Sequence, residues 1–366
     1  MNFLIVAMGP GECSHAAALG SYAIRKGHKV CIAAVQRENL VFFRNGPHFG
    51  FANLWHTPTP QSLWRLVKKE APDVMVLCNS KIFGAYRDFQ KSPPVARPFT
   101  VSLDSNWLFN SSPKTRFPYV PWVDNYLIVL PQKVYRLGLK KYGGEFSIPR
   151  NPRRKMRVVG LIPSYRPLAR AEVRRQRKRY GVAKNEKLIF CYGGYGVTDR
   201  FRAVSGVLSV TQKLTARGYR VKVLVVGDRK RIKKRYFSAP WLVIRESLSF
   251  KEYYSALASA DLVYQHQGLG TLAQAIGANV PVIANVSNPS KKAREHTHAW
   301  EVAPFAKAGV CKMLFFKDPP SRRLETVTTL LYSARPRRAM LAKQREIYSR
   351  GEHRTLELIG KFLKAR

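Results

Sequence analysis

The sequence predicts an α/β protein built from two Rossmann-like, doubly wound domains. The chain has 366 residues, which is too long for one core of ordinary size and suits two. Residues 3–7 form an apolar run that is followed by a glycine-containing turn, a helical pattern and a second apolar run at 28–35. The same order of strand, turn, helix and strand recurs at 260–286. Repeated units of this kind build parallel sheets with helices on both faces.

The charge of the chain indicates which class of partner it binds. Lys and Arg number 64 against 22 Asp and Glu, which gives a formal net charge of +42 at pH 7. A surface with this excess of cations binds polyanions with a strong salt dependence. We therefore expect a polyanionic partner, either a nucleic acid or an anionic membrane surface.

Composition and cysteine usage indicate a globular protein. Hydrophobic residues make up 45% of the chain, and no apolar run approaches the roughly 18 residues that cross a membrane. Residues 1–6 lead into a glycine turn and not into the apolar core of a signal peptide. The five cysteines are scattered and odd in number, so neither a disulfide framework nor a zinc site is indicated. We expect a cytoplasmic protein with reduced thiols.

The segment 260–283 carries the clearest functional signal. Its apolar strand ends in a polar, glycine-rich turn, and Thr271 is placed to cap the helix that follows. A helix amino terminus at the carboxyl end of a strand offers free N–H groups and a dipole that favour an anion. We interpret His266, Gly268, Gly270 and Thr271 as a phosphate-binding turn.

Together with Gln274 and Pro281, this turn resembles the donor-binding signature of glycosyltransferases with the GT-B fold. These include the nucleotide-sugar glucosyl and glucuronosyl transferases and the N-acetylglucosaminyltransferase of peptidoglycan synthesis. The resemblance implies two domains that face each other across a cleft and inverting transfer from a nucleotide-diphosphate sugar, a UDP-sugar by this likeness. It implies that His266 and the turn amides hold the diphosphate and that Thr271 adds a hydroxyl. Gln274 stands where the family has a ribose-binding glutamate, and no metal or further cofactor is required.

Two further segments extend the predicted donor site. A strand at 188–192 opens the second domain, and the glycines after it let the backbone approach a diphosphate closely. Residues 295–296 fall where the same families hold the sugar hydroxyls. The predicted donor-binding residues are Gly193, Gly194, Tyr195, Gly196, His266, Gly268, Gly270, Thr271, Gln274, Glu295 and His296.

The turn after the first strand carries the predicted catalytic base. Residues 25–30 resemble the element that closes the first helix of these transferases, and the family's spacing of fifteen residues back from Gly27 leads to Glu12. The family has a histidine there. A carboxylate at a helix amino terminus accepts a proton when partial burial raises its pKa. We predict Glu12 as the base, ahead of His15, and a helix at 16–26.

Asp104 is the third predicted catalytic residue. It follows a predicted strand at 99–103, and a side chain at the carboxyl end of a strand in a doubly wound sheet lies at the cleft edge. There Asp104 either orients the base or contacts the acceptor.

Two basic segments are predicted to bind the acceptor. Residues 107–122 interleave aromatic, proline and basic residues without a helical or strand period, a composition that suits stacking on nucleobases or insertion into a membrane interface. Residues 169–180 form a helix with a basic face. The predicted polyanion-binding residues are Trp107, Lys114, Arg116, Arg170, Arg174, Arg175 and Lys178.

The resemblance implies an inverting glycosyltransferase, and the charge adds a polyanionic acceptor whose hydroxyl receives the sugar, first of all a hydroxylated base in DNA or RNA. The alternatives are transfer to a lipid-linked acceptor at a membrane, a UDP-sugar epimerase, and a nucleic-acid-binding protein without activity. We expect an acceptor domain at 1–160, a nucleotide-sugar domain at 161–340, and a final helix at 341–366 that returns to the first domain.

Overall fold

The structure is a computed structural model, and it forms two compact units. Met1–Ser164 and Ser349–Arg366 make up the first unit, and Tyr165–Tyr348 makes up the second. Each unit contains one parallel sheet with buried central strands. The residues that the structure describes are 1–40, 43, 51, 53–78, 98–104, 123–142, 156–163, 168–193, 200–266, 268–288 and 299–365.

The first unit has a seven-stranded sheet in the order β3-β2-β1-β4-β5-β6-β7, with every neighbouring pair parallel. Its central strands are apolar because both faces are covered. The strands are β1 (Asn2–Ala7), β2 (Lys29–Ala34), β3 (Asn53–His56), β4 (Val74–Cys78), β5 (Phe99–Asp104), β6 (Asn125–Ile128) and β7 (Met156–Val158), and the first helices are α1 (Pro10–Arg25), α2 (Pro60–Glu70) and α3 (Gln132–Tyr142).

The second unit has a six-stranded parallel sheet in the order β10-β9-β8-β11-β12-β13. Its strands are β8 (Lys187–Tyr192), β9 (Val221–Val226), β10 (Leu242–Arg245), β11 (Leu262–Gln265), β12 (Val282–Val286) and β13 (Lys312–Phe315). Its helices are α4 (Arg170–Arg179), α5 (Arg200–Ala216), α6 (Phe250–Ala258), α7 (Leu269–Gly277), α8 (Ala299–Lys307), α9 (Pro320–Tyr332) and α10 (Ala334–Ile347). No helix in the described part of the chain is long and apolar enough to cross a membrane.

Helix α1 begins at Pro10, six residues before the predicted start. Pro10 occupies the first helical position, where its missing N–H is one that a helix leaves unused and its fixed φ suits the helix. Gly9 is the N-cap residue. Glu12 and His15 therefore both lie on the helix, and the predicted turn around Glu12 is its first turn.

The second unit extends to Tyr348, beyond the predicted boundary at 340. The physical reason is the packing of α10, whose Gln344 is fully buried. The side-chain amide of Gln344 donates to the carbonyl oxygens of Val280 and Val310 at 3.0 Å each. These bonds hold α10 to the segments that directly precede β12 and β13 in the same unit.

The last helix, α11 (Gly351–Lys364), belongs to the first unit. The ring of His353 stacks on that of Tyr22 from α1, with centroids 3.9 Å apart and planes at 13°. The N–H of Gly351 donates to the carbonyl oxygen of Leu161 at 2.8 Å. A Cβ at Gly351 would lie 2.5 Å from that oxygen, so the close approach requires glycine.

Candidate functional site

The predicted phosphate-binding turn lies at the carboxyl edge of the second sheet. β11 ends at Gln265, and the N-cap of α7 is Gly268, with φ 101° and ψ 131°. That φ favours glycine. The first N–H groups of a helix have no acceptor within it, so α7 presents them at this edge. A Cβ at Gly268 or Gly270 would meet no described atom within 4 Å, so none of the described residues blocks the approach.

Thr271 is the third residue of α7 and not its N-cap, which corrects the sequence prediction. The backbone of Gly268 starts the helix without a side-chain cap. The hydroxyl oxygen of Thr271 lies 2.7 Å from the hydroxyl oxygen of Tyr253 on α6. Burial, with a smaller effect of the nearby Tyr192, raises the pKa of Tyr253 and keeps it protonated. With Tyr253 as the donor, the hydroxyl hydrogen of Thr271 is left to donate to an anion.

His266 is fully buried and follows β11 directly. Its main-chain N–H donates to the carbonyl oxygen of Tyr192 at 3.1 Å, which extends the pairing of β11 with β8. Its ring stacks on Phe316, with centroids 5.3 Å apart and planes at 12°. The ring therefore fills core volume beside the turn, and truncating it to Ala would disturb packing as well as any ligand contact.

Two other predicted donor residues lie in the described part of the chain. Gly193 is buried directly after β8, and Gln274 is 3% exposed on α7. Gly193 is at the same carboxyl edge as the turn after β11 because the two strands are parallel neighbours. Gly194, Tyr195, Gly196, Glu295 and His296 lie outside the described residues, and their roles stay predictions.

Glu12, the predicted base, is half-buried as the third residue of α1. A Cβ at Gly9 would lie 2.6 Å from Oε2 of Glu12, so the carboxylate folds back over the N-cap. An acidic side chain in this position is stabilised by the helix dipole. Its position thus indicates a structural role in stabilising the start of the helix. Its catalytic role stays a prediction.

His15 lies one turn further along α1 and is 4% exposed. Its Nδ1 is 3.1 Å from the carbonyl oxygen of Ile162. A carbonyl only accepts, so Nδ1 carries the proton and Nε2 keeps its lone pair. Burial lowers the pKa of His15, against the opposing effects of the Ile162 carbonyl and the Asp104 charge. The ring is therefore a neutral acceptor at pH 7.

Asp104 ends β5 and is 5% exposed. Its Oδ2 accepts a hydrogen bond from the hydroxyl of Tyr126 on β6 at 2.7 Å. Its charge reaches His15, whose pKa it raises against burial. The first unit thus places two of its three predicted catalytic residues within electrostatic range of each other. It adds Tyr126, which no pattern in the sequence singled out.

The basic residues of α4 divide into exposed and structural groups. Arg177 donates to Asp261 at 2.8 Å and to the carbonyl oxygen of Ser259 at 3.1 Å. It therefore fastens α4 at the amino edge of the sheet, opposite the turn after β11. The predicted polyanion-binding residues Arg170, Arg174, Arg175 and Lys178 are exposed. Trp107, Lys114 and Arg116 lie outside the described residues.

The fold of the chain is that of GT-B glycosyltransferases, and solved structures with this fold align with nearly all of its length. The glycotransferase of kitacinnamycin superposes with a TM-score of 0.66 at 12% identity, covering 99% of each chain. UDP-GlcNAc 2-epimerase from Neisseria meningitidis, bound to UDP-GlcNAc, gives 0.65 at 14% identity and covers 100% of each. MurG of Acinetobacter baumannii gives 0.60 at 14% identity, covering 98% of this chain and 99% of its own.

No family model matches the chain, and no curated protein matches it. At 11–14% identity, the structural likeness establishes the fold. The predicted fold class is confirmed by these neighbours.

Proposed function

We propose that the protein is an inverting glycosyltransferase that uses a nucleotide-diphosphate sugar as its donor, and that this donor is a UDP-sugar. The observation that carries the proposal is the turn after β11. There Gly268, with φ 101°, is the N-cap of α7, and the first N–H groups of that helix lie beside the buried His266. This arrangement suits a diphosphate because donors and helix dipole converge on one point.

In this proposal the donor turn stabilises the leaving diphosphate. The bond between C1 of the sugar and the phosphate oxygen breaks, and its electron pair stays on the diphosphate. The N–H groups of α7 and the hydroxyl of Thr271 donate to the charge that develops there. Gly193, which is buried at the end of the neighbouring strand, supports the assignment because a backbone without a side chain allows close approach.

The proposed base is His15, with Glu12 as the alternative. The acceptor oxygen forms the new bond to C1, and its proton passes to Nε2 of His15. Three features support this role: the Ile162 carbonyl fixes the tautomer, burial keeps the ring neutral, and the charge of Asp104 favours the imidazolium that forms. Tyr126 holds the Asp104 carboxylate through its hydroxyl.

The proposed acceptor is a hydroxylated base in DNA or RNA. The net charge of +42 and the exposed cations of α4 support a polyanion. Release of UDP from UDP-glucose, UDP-GlcNAc and UDP-glucuronate, with and without hydroxymethylated DNA, tests donor and acceptor together. Conversion of UDP-GlcNAc to its epimer, with no acceptor and no release of UDP, would instead indicate epimerisation. Transfer to a lipid-linked acceptor and not to DNA would overturn the nucleic-acid assignment.

Replacing Thr271 by Val should weaken UDP binding by about tenfold. Val keeps the shape of Thr271 but removes a hydroxyl that donates to a charged ligand. Tyr253→Phe is the matched variant, because it breaks the same 2.7 Å contact and leaves the Thr271 hydroxyl in place. Calorimetric titration with UDP should show a smaller loss in Tyr253→Phe. Equal losses would mean that the hydroxyl acts only on the packing of α6 and α7.

Reversing Arg174, Arg175 and Lys178 to Glu should weaken nucleic-acid binding and flatten its salt dependence. Each lost phosphate contact removes about 0.9 from the slope of log K against log salt on duplex DNA. Reversal of Arg229, Lys230 and Arg231 is the matched control with the same change in charge. Fluorescence anisotropy over a salt series measures both. Equal losses would show that only the overall field acts, and no binding at low salt would remove nucleic acid as a partner.

A further inference from the structure

A pocket of about 460 Å³ opens on the second unit between α5 and the segment that follows β13. One face of α5 forms a wall, with Arg202, Ser205 and Ser209 at helical spacing. The opposite wall includes Phe316 and Lys317. Pockets of roughly 300–1,000 Å³ accommodate small molecules. The size of this pocket is therefore sufficient for a ligand other than water.

The polar groups on its wall are cations and hydroxyls. Arg202, Lys317 and Arg323 line it, and no lining residue among those described is acidic. The Arg323 guanidinium donates to the carbonyl oxygen of Phe316 at 2.5 Å, which fixes its position. The guanidinium of Arg202 lies 5.8 Å from the centroid of the Phe316 ring. Donors held in this way suit a carboxylate or a phosphate.

The neighbouring acid, Asp318, makes its hydrogen bonds to residues outside the pocket lining. Asp318 follows Lys317 in the chain, but its carboxylate accepts from the N–H of Phe315 at 2.7 Å and from Arg322 at 3.2 Å. Arg322 does not line the pocket. The charged residues that line the pocket, among those described, are thus all cations.

The pocket adjoins the turn after β11 and is separate from it. Phe316 lines the pocket and stacks on His266, so one ring stands between the two. Beneath Gly206 of the pocket wall, Nδ2 of Asn285 donates to the Tyr264 hydroxyl at 2.8 Å. Oδ1 of Asn285 is buried and has no hydrogen-bond partner among the described residues. The pair of Asn285 and Tyr264 thus supports Gly206 from below, while the donors for an acid lie on the pocket wall.

We infer that this pocket binds a small organic anion through its carboxylate or phosphate. Two sources supply that chemistry. One is a free sugar phosphate, whose binding is independent of the function proposed above. The other is the acidic sugar of a nucleotide-sugar donor, which rests on that function and would make the pocket its specificity determinant.

The test uses the full chain and four probes in calorimetric titrations at low salt. The probes are glucose, glucose 6-phosphate, UDP-glucose and UDP-glucuronate, so each pair differs by one acidic group. Arg202→Gln and Lys317→Gln each remove one lining cation at an exposed position. Lys213→Gln is the control, because Lys213 lies exposed in the last turn of α5 and outside the pocket.

The acidic member of one pair should bind at least tenfold more tightly than its neutral partner. Both pocket variants should remove most of that preference, and Lys213→Gln should change it less than twofold. A preference confined to glucose 6-phosphate identifies a separate ligand, and one confined to UDP-glucuronate identifies the donor sugar. If UDP-glucose also fails to bind, the proposed transferase function is wrong. The comparison of glucose with glucose 6-phosphate still tests whether the pocket binds an anion. No acidic preference in either pair, or an equal effect of Lys213→Gln, would overturn the inference.

Discussion

Replacing His15 by Asn should lower the kcat of sugar transfer by about 10²–10⁴-fold, the usual contribution of a positioned general base. Asn keeps a donor for the Ile162 carbonyl, whose oxygen is 3.1 Å from Nδ1 of His15, but it has no group that accepts a proton at the position of Nε2. The affinity for UDP should hold because the donor turn is formed by other residues. Steady-state rates and calorimetric UDP titrations measure the two quantities separately.

Glu12→Gln is the matched variant, because it removes a proton acceptor from the same helix and keeps the side-chain shape. We expect its kcat to stay within a few fold of wild type. A large loss in Glu12→Gln beside a nearly normal His15→Asn would make Glu12 the base, as the sequence predicted. Near-normal rates in both variants would mean that neither residue is the base.

The pH profile gives the same prediction a second readout. Burial lowers the pKa of His15 below its ordinary 6.5, although the Ile162 carbonyl and Asp104 oppose that shift. The ring is therefore deprotonated and competent at pH 7, and kcat/KM should fall as the pH decreases through this lowered pKa. The acid limb due to His15 should be absent from the residual activity of His15→Asn.

The fold was predictable because its signals are local. Apolar runs such as 3–7 and 262–264 are strands that lie buried on both faces of a parallel sheet, which makes them continuous in sequence. Glycine turns between strand and helix, as at Gly268, follow from backbone geometry alone. The start of α1 was misplaced because Gly9 and Pro10 suggest a turn, whereas proline also suits the first position of a helix.

The contacts of the site could not be predicted from the sequence because they join residues that are far apart in the chain. His15 and Ile162 are 147 residues apart, and Thr271 meets Tyr253 on a different helix. Neither partner belongs to a pattern that periodicity or spacing would reveal. The sequence therefore named His15 and Asp104 but could not state which tautomer or which neighbour each would have.

Like the contacts of the site, those of Asp261 could not be predicted from the sequence. This residue holds together the amino edge of the sheet in the second unit. Its Oδ2 accepts from the N–H of Leu188 at 2.9 Å and from Arg177 at 2.8 Å. Lys187 and Arg337 lie 3.4 Å and 3.6 Å from its Oδ1. The side chain is 14% exposed. One carboxylate thus joins α4, α10 and the amino ends of β8 and β11.

Replacing Asp261 by Asn should destabilise the second unit by about 2–3 kcal/mol, between the values for an exposed and a buried ion pair, because the pair with Arg177 is part-buried. The substitution keeps the volume but leaves the cations, above all Arg177, without their counter-charge. Hydrogen exchange followed by mass spectrometry measures the effect, since β8 amides exchange after that unit opens. Exchange in β8 should accelerate by roughly a hundredfold, whereas β1, in the first unit, should keep its rate.

Acid should reproduce this loss in the wild type. Burial raises the pKa of Asp261, but the Leu188 N–H and Arg177 outweigh it and lower the pKa overall. A carboxyl with a lowered folded pKa stabilises the fold above its unfolded value, near 3.9, and that contribution disappears as the pH falls through the lower folded value. Asp261→Asn should lack this part of the acid sensitivity.

Glu346→Gln is the control for both predictions. Glu346 pairs with Lys343 at 2.8 Å and is 46% exposed, and an exposed pair contributes at most about 1 kcal/mol. Equal effects of the two substitutions would show that Asp261 acts through net charge and not through its contacts.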